Sequence, residues 1–164
     1  TYRCCMAKNK DEYGLIKVVQ KLELFRALTR EEALHVLGMC SRRVFEAEDV
    51  VWRPGDEGID MQVLITGKLH VLDDDEKVIG QVLPGSSFGE MACLTGNQRF
   101  VGFKAVEEST ALSLTRQSMH GLIGKHPKLY VKILETTIEL LAHRVRRASA
   151  GAVKLTEEGQ PSLW

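Results

Sequence analysis

Catalytic, metal-binding and membrane-spanning signals are all scarce in this chain of 164 residues, and each absence narrows its class. Its four cysteines, at positions 4, 5, 40 and 93, offer neither a Cys-x-x-Cys pair nor a Cys/His set with zinc spacing, so no metal is expected. All four thiols suit a reducing, cytoplasmic compartment. Net charge is absent as well, with 22 Lys and Arg against 22 Asp and Glu. That balance removes the broad basic footprint of a nucleic-acid or acidic-membrane binder. No apolar run approaches the roughly 18 residues of a membrane span, and the opening segment has no signal-peptide core. No nucleophile is accompanied by an evident orienting base: His35 and His143 fit helix faces, and His120 and His126 flank a helix break. A non-enzymatic globular domain without resident cofactor is the expectation.

What is present is enough for one core, since a chain of this length buries roughly two thirds of its unfolded surface. Residues 1–10 read as a flexible N-terminal segment. Over 11–24, Leu15, Val18, Val19 and Leu22 recur at helical spacing. Thr29-Arg30-Glu31-Glu32 has the capping-box pattern and opens a second helix over 30–40. From 43 to 115 the period shortens to brief strand-like runs parted by Pro54-Gly55-Asp56, Thr66-Gly67, Asp73-Asp74-Asp75 and Pro84-Gly85. Such spacing predicts an antiparallel β-barrel or jelly roll within a mainly β, α+β domain.

Helices return over 116–124 and, after Pro127, over 127–148. The last helix carries two apolar flanks: Leu129, Ile133 and Leu140, and beside them Tyr130, Leu134, Ile138, Leu141 and Val145. One flank covers the barrel; the other meets either the N-terminal helices or a second copy of the chain in a homodimer. His143, Arg144, Arg146 and Arg147 at its end suit the negative pole of the helix dipole, and Arg146-Arg147-Ala148-Ser149 reads as the solvated end of that helix. Residues 149–164 are expected as a tail. The residues after Ala148 are too few for a helix-turn-helix, so no DNA-binding domain is expected.

The chemistry concentrates in Pro84-Gly85-Ser86-Ser87-Phe88-Gly89-Glu90-Met91-Ala92-Cys93-Leu94, followed by Arg99 nine positions after Glu90. Glycines and small hydroxyls lead into a short helical piece whose free backbone N–H groups suit an anion, and Arg99 can add a bidentate fork for a phosphate. Glu90 would be repelled by that phosphate, so its fitting partner is a hydroxyl such as a sugar 2′-OH. From spacing alone a second possibility stands: Glu90 caps its helix and Arg99 pairs on the surface, contributing at most about 1 kcal/mol.

These residues resemble the cyclic nucleotide-binding domain family, which includes regulatory subunits of cyclic-AMP-dependent kinase, nucleotide-gated channels and catabolite-activator-like proteins. The resemblance covers residues 20–148. It rests on Leu24-Phe25-Arg26-Ala27-Leu28-Thr29, on Gly55-Asp56-Glu57-Gly58, on Gly67, and above all on Phe88-Gly89-Glu90-Met91-Ala92 with Arg99. It implies a phosphate-binding cassette in which Glu90 holds the ribose 2′-OH and Arg99 the cyclic phosphate, with Gly89, Met91 and Ala92 lending backbone. Val71, Ile79 and Val101 are expected as apolar walls for the base.

Two positions depart from the family pattern: Gln98 stands where Pro is common, and bulky Phe100 where Ala, Ser or Thr is usual. Phe100 lacks the hydroxyl used by cyclic-GMP-preferring members, which favours cyclic AMP over cyclic GMP and also brings bulk beside the phosphate. The resemblance further implies a sensor whose C-terminal helices move about a hinge at 116–127 to signal to an effector; Tyr130 or Trp164, as an aromatic able to stack on a purine, is expected to close over the base. Its alternative is a scaffold or dimerisation module of the same fold that no longer binds nucleotide.

Overall fold

In the computed structural model residues 22–157 are described. The helix expected over 11–24 lies almost wholly outside them; at its end Glu23–Phe25 form one 3₁₀ turn that buries Leu24 and Phe25. Helix α1 (Arg30–Met39) starts at the capping box. Thr29 Oγ1 accepts from the Glu32 backbone N–H at 3.3 Å, and Glu32 Oε2 accepts from that of Thr29 at 2.8 Å. A cap of this kind contributes about 1 kcal/mol.

Eight strands follow: β1 (Ser41–Phe45), β2 (Val50–Trp52), β3 (Asp60–Thr66), β4 (Leu69–Leu72), β5 (Val78–Val82), β6 (Ser87–Phe88), β7 (Gly102–Ala105) and β8 (Ser109–Thr115). They pair antiparallel in two four-stranded sheets, β1-β8-β3-β6 and β2-β7-β4-β5. The fold is thus the expected mainly β, α+β class, and of the two expected forms, barrel or jelly roll, it takes the two-sheet one: the sheets do not close into a barrel. The reason lies at the edges: β6 is only two residues long, and the pairing of β2 with β7 shifts register between Val50 and Trp52. These two edges offer only short or irregular ladders, whereas the opposite edges, β1 and β5, are five residues each and stay unpaired on their outer sides among the described residues.

Side-chain alternation along β3 builds two cores from one strand. Met61 and Val63 face a helical core with Phe25, Val36, Met119, Leu122, Leu129 and Ile133. Leu64, on the opposite face, joins the core between the sheets, with Trp52, Leu69, Val82, Phe88, Phe103 and Ala111. Both faces of β3 are covered, so it is buried nearly throughout.

After β6 comes α2 (Glu90–Thr95), and two further helices follow β8 among the described residues. Helix α3 (Arg116–Lys125) is capped by Thr115, whose Oγ1 accepts from the Ser118 N–H at 3.1 Å. It stops at His126, whose backbone leaves the helical region (φ −139°, ψ 59°) ahead of Pro127. Helix α4 (Pro127–Glu157) then runs 31 residues. The helix thus runs past Ala148, so residues 149–157 of the expected tail are helical, while 158–164 lie outside the described residues. Leu129, Ile133 and Leu140 are buried, whereas Ile138 and Val145 on the second flank are 64% and 63% exposed. Among the described residues no helix is long and apolar enough to cross a membrane.

Candidate functional site

At the end of β6 the chain must turn sharply into α2, and Gly89 makes that turn with φ +76°, a left-handed conformation that costs other residues energy. A Cβ there would also stand 2.6 Å from an Arg99 terminal nitrogen and 2.8 Å from the Trp52 ring. The turn presents Glu90 inward, at 3% exposure, and Arg99 returns to the same place from the loop before β7, at 5% exposure. That loop is pinned by its backbone: Arg99 N–H donates to Asp56 C=O and Gly55 N–H to Arg99 C=O, both at 2.8 Å.

Arg99 is held on three sides. One terminal nitrogen donates to Asp60 Oδ1 at 2.5 Å, the other to the Gly89 carbonyl at 2.9 Å, and the guanidinium carbon lies 3.8 Å from the Trp52 ring centroid. Asp60 also accepts from Gln62 Nε2 at 2.9 Å and Ser113 Oγ at 2.6 Å. Arg99 Nε is buried without an acceptor.

Glu90 is bound from the opposite direction by the last helix. Arg144 of α4 donates one terminal nitrogen to Glu90 Oε1 and the other to the Ser87 carbonyl at 2.5 Å, and stands 3.5 Å from Glu23. Glu90 Oε2 is buried with no donor. Burial raises the Glu90 carboxyl above its ordinary value, with Arg144 opposing the rise.

Between these groups lies a cavity of about 410 Å³. Phe88, Gly89, Glu90, Met91, Ala92, Arg99, Phe100, Val101 and Val71 all line it. Phe100 sits there 60% exposed, so most of its bulk faces solvent. Ile79 does not line it and is 56% exposed. Val71 pairs with Gly80 and Leu72 with Val78, so a bulge leaves Ile79 as the extra residue, turned out of the ladder. Tyr130 is likewise misplaced as a closing aromatic: it packs against the helical core, with its ring 6.5 Å from that of His120. Trp164 lies outside the described residues. Leu140, His143, Arg144 and Arg147 cover the cavity from α4 instead.

Three residues of this site escaped sequence reasoning. Trp52 and Asp60 carried one available signal each, an indole and a carboxylate inside strand-like runs. Arg144 carried none, because the dipole accounts for a cation near a helix end and Glu90 is 54 positions away. Among the described residues no group of three or more His, Cys, Asp or Glu is placed to hold a metal.

Residues 42–126 match the family model described as the cyclic nucleotide-binding domain. The chain is 30% identical over 129 residues to a cyclic AMP receptor protein of Thermus thermophilus, a match covering 76% of this chain and 58% of that relative's length. A crystal structure of the Thermus thermophilus catabolite activator protein superposes with a TM-score of 0.70 at 28% identity, covering 82% of this chain and 63% of that one. A cyclic nucleotide-binding domain from Methylobacillus flagellatus superposes with a TM-score of 0.79 at 23% identity, over 94% of this chain and 88% of that one. The last likeness establishes the fold alone.

Proposed function

The chain belongs to the cyclic nucleotide-binding domain family, and from that premise we propose that its cavity binds a cyclic nucleotide, cyclic AMP in preference to cyclic GMP, as a sensor without catalytic activity. One observation carries the proposal: Glu90 and Arg99 line a single cavity, and each keeps a buried polar atom without a partner, Glu90 Oε2 lacking a donor and Arg99 Nε lacking an acceptor. Each unmet buried group costs roughly 1–3 kcal/mol. A ribose 2′-OH supplies the donor and a cyclic phosphate the acceptor, so one ligand relieves both. Val71, Val82, Val101 and Phe103 leave apolar wall for a base. Phe100 speaks for the alternative, a scaffold that has lost its ligand, but its exposure leaves the cavity open.

The same contacts suggest how occupancy reaches an effector. Arg144 fastens α4 to Glu90 and Ser87, so any change at Glu90 is felt by a helix whose only break from α3 is His126-Pro127. The exposed flank of α4 gives that helix a partner. Val131, Leu134, Ile138, Leu141 and Val145 fall at alternating spacings of three and four, the seam of a two-stranded coil, which supports a homodimer.

Calorimetric titration with cyclic AMP, cyclic GMP, 2′-deoxy cyclic AMP and non-cyclic AMP is the test. Cyclic AMP should bind best. The deoxy analogue should bind more weakly to the unmodified protein, with the gap narrowed in Glu90→Ala, and Arg99→Ala should lose about 2–5 kcal/mol. Equal affinity for cyclic AMP and its deoxy analogue would leave Glu90 as the partner of Arg144 alone; no binding of any cyclic nucleotide would refute the sensor.

A further inference from the structure

We infer that Trp52 is the positioning residue for the phosphate end of the site: its indole face fixes the Arg99 guanidinium while leaving that cation's charge available to a ligand. The inference deepens the cyclic-nucleotide proposal and rests on it. An arginine that must meet a phosphate faces two demands that conflict. It must be held in one orientation, since a free side chain of this length spends binding energy on ordering. It must also keep its positive charge uncancelled.

Asp60 satisfies the first demand at the expense of the second, because a carboxylate 2.5 Å away neutralises much of the field of Arg99. A second carboxylate would remove what remains. An aromatic face holds a cation through its quadrupole and carries no net charge. With Trp52 at 3.8 Å on one face, Asp60 at one terminal nitrogen and the Gly89 carbonyl at the other, the plane and direction of the guanidinium are set by three separate elements. Nε remains a buried donor without an acceptor.

Two observations separate this role from ordinary core packing. Trp52 does pack against Phe88 and Phe103, at ring-centroid distances of 5.3 and 5.1 Å, but its Nε1–H is buried with no acceptor. A phenylalanine would fill a purely apolar position without that cost. The turn at Gly89 is also shaped to this pair, since a Cβ there would strike Arg99 and the indole together.

The experiment compares Trp52→Leu and Trp52→Phe with the unmodified full chain. Ligand-free protein is examined by NMR at the Arg99 Nε–H resonance. Each form is then titrated calorimetrically with cyclic AMP and with its Rp and Sp phosphorothioates, whose discrimination reports on the phosphate contact.

In Trp52→Leu the Arg99 signal should lose its ring-current shift, cyclic AMP should bind roughly 3- to 30-fold more weakly, the range of a cation–π contact, and Rp/Sp discrimination should shrink. Trp52→Phe, which keeps an aromatic face, should restore most of each and serves if the leucine variant does not fold. In an Arg99→Ala background Trp52→Leu should cost no further affinity. An Arg99 resonance that ignores Trp52→Leu, or an equal loss of affinity with Arg99 absent, overturns the inference and leaves Trp52 as packing. If no cyclic nucleotide binds the unmodified protein while the Arg99 resonance still depends on Trp52, the positioning stands and the nucleotide proposal falls.

Discussion

Asp60→Ala tests the site where stability and binding meet. Asp60 is 8% exposed and accepts three hydrogen bonds, from Arg99, Gln62 and Ser113. Removing it strands a guanidinium whose side chain is only 3% exposed. Breaking one partner out of a buried ion pair typically costs about 3–5 kcal/mol, because the remaining charge stays desolvated. Against a usual total of about 5–15 kcal/mol that is a large fraction. For a chain of this size each kcal/mol lowers Tm by roughly 2–4 °C, so the variant should melt roughly 6–20 °C lower. Cyclic AMP should then stabilise Asp60→Ala by more degrees than it stabilises the unmodified protein, since the phosphate meets a guanidinium that has lost its carboxylate partner. Differential scanning calorimetry with and without saturating nucleotide measures both effects. A variant that melts within a degree or two of the original refutes the buried-pair argument; a nucleotide increment no larger than in the original refutes placement of the phosphate at Arg99.

Burial raises the Glu90 carboxyl above 4.5. An acid raised in the folded state stabilises the fold while protonated, so this contribution is present below 4.5 and is lost as pH rises through the raised value. Nucleotide affinity should run the other way, falling on acidification as the ionised acceptor disappears, and Arg144→Ala should move that fall to higher pH; an inflection indifferent to Arg144→Ala in pH-dependent titrations removes Arg144 from the site. Hydrogen exchange with and without saturating cyclic AMP should show protection over residues 85–101 and changed exchange over 116–148, and a response confined to the cassette would leave a passive receptor. Ile138→Glu with Val145→Glu should convert a dimer to a monomer in sedimentation without lowering Tm by more than a few degrees, both side chains being exposed; a chain monomeric before substitution ends the homodimer proposal.

Much of the architecture was legible because its signals are local. The capping box at Thr29 and Glu32 needs only four consecutive residues, and both of its hydrogen bonds form. Pro127 starts a helix because its fixed φ and missing N–H suit a first turn wherever it occurs. Tertiary context decided less local matters. The bulge that turns Ile79 out of the ladder depends on how β5 meets β4, and the choice of two open sheets over a closed barrel depends on which strands pair across the fold.

By itself the sequence determined the chemical inventory of the site: a glycine able to turn at 89, a carboxylate at 90 and a cation at 99, close enough along the chain for one loop to bring them together. Only the tertiary structure decided what each of them faces. Asp60, 39 positions from Arg99, pairs with it; Trp52 comes from β2; and Arg144 arrives from a helix end that the dipole alone would explain. Such pairings follow no period and no motif, because they arise when separate elements pack and a buried charge must find an opposite one.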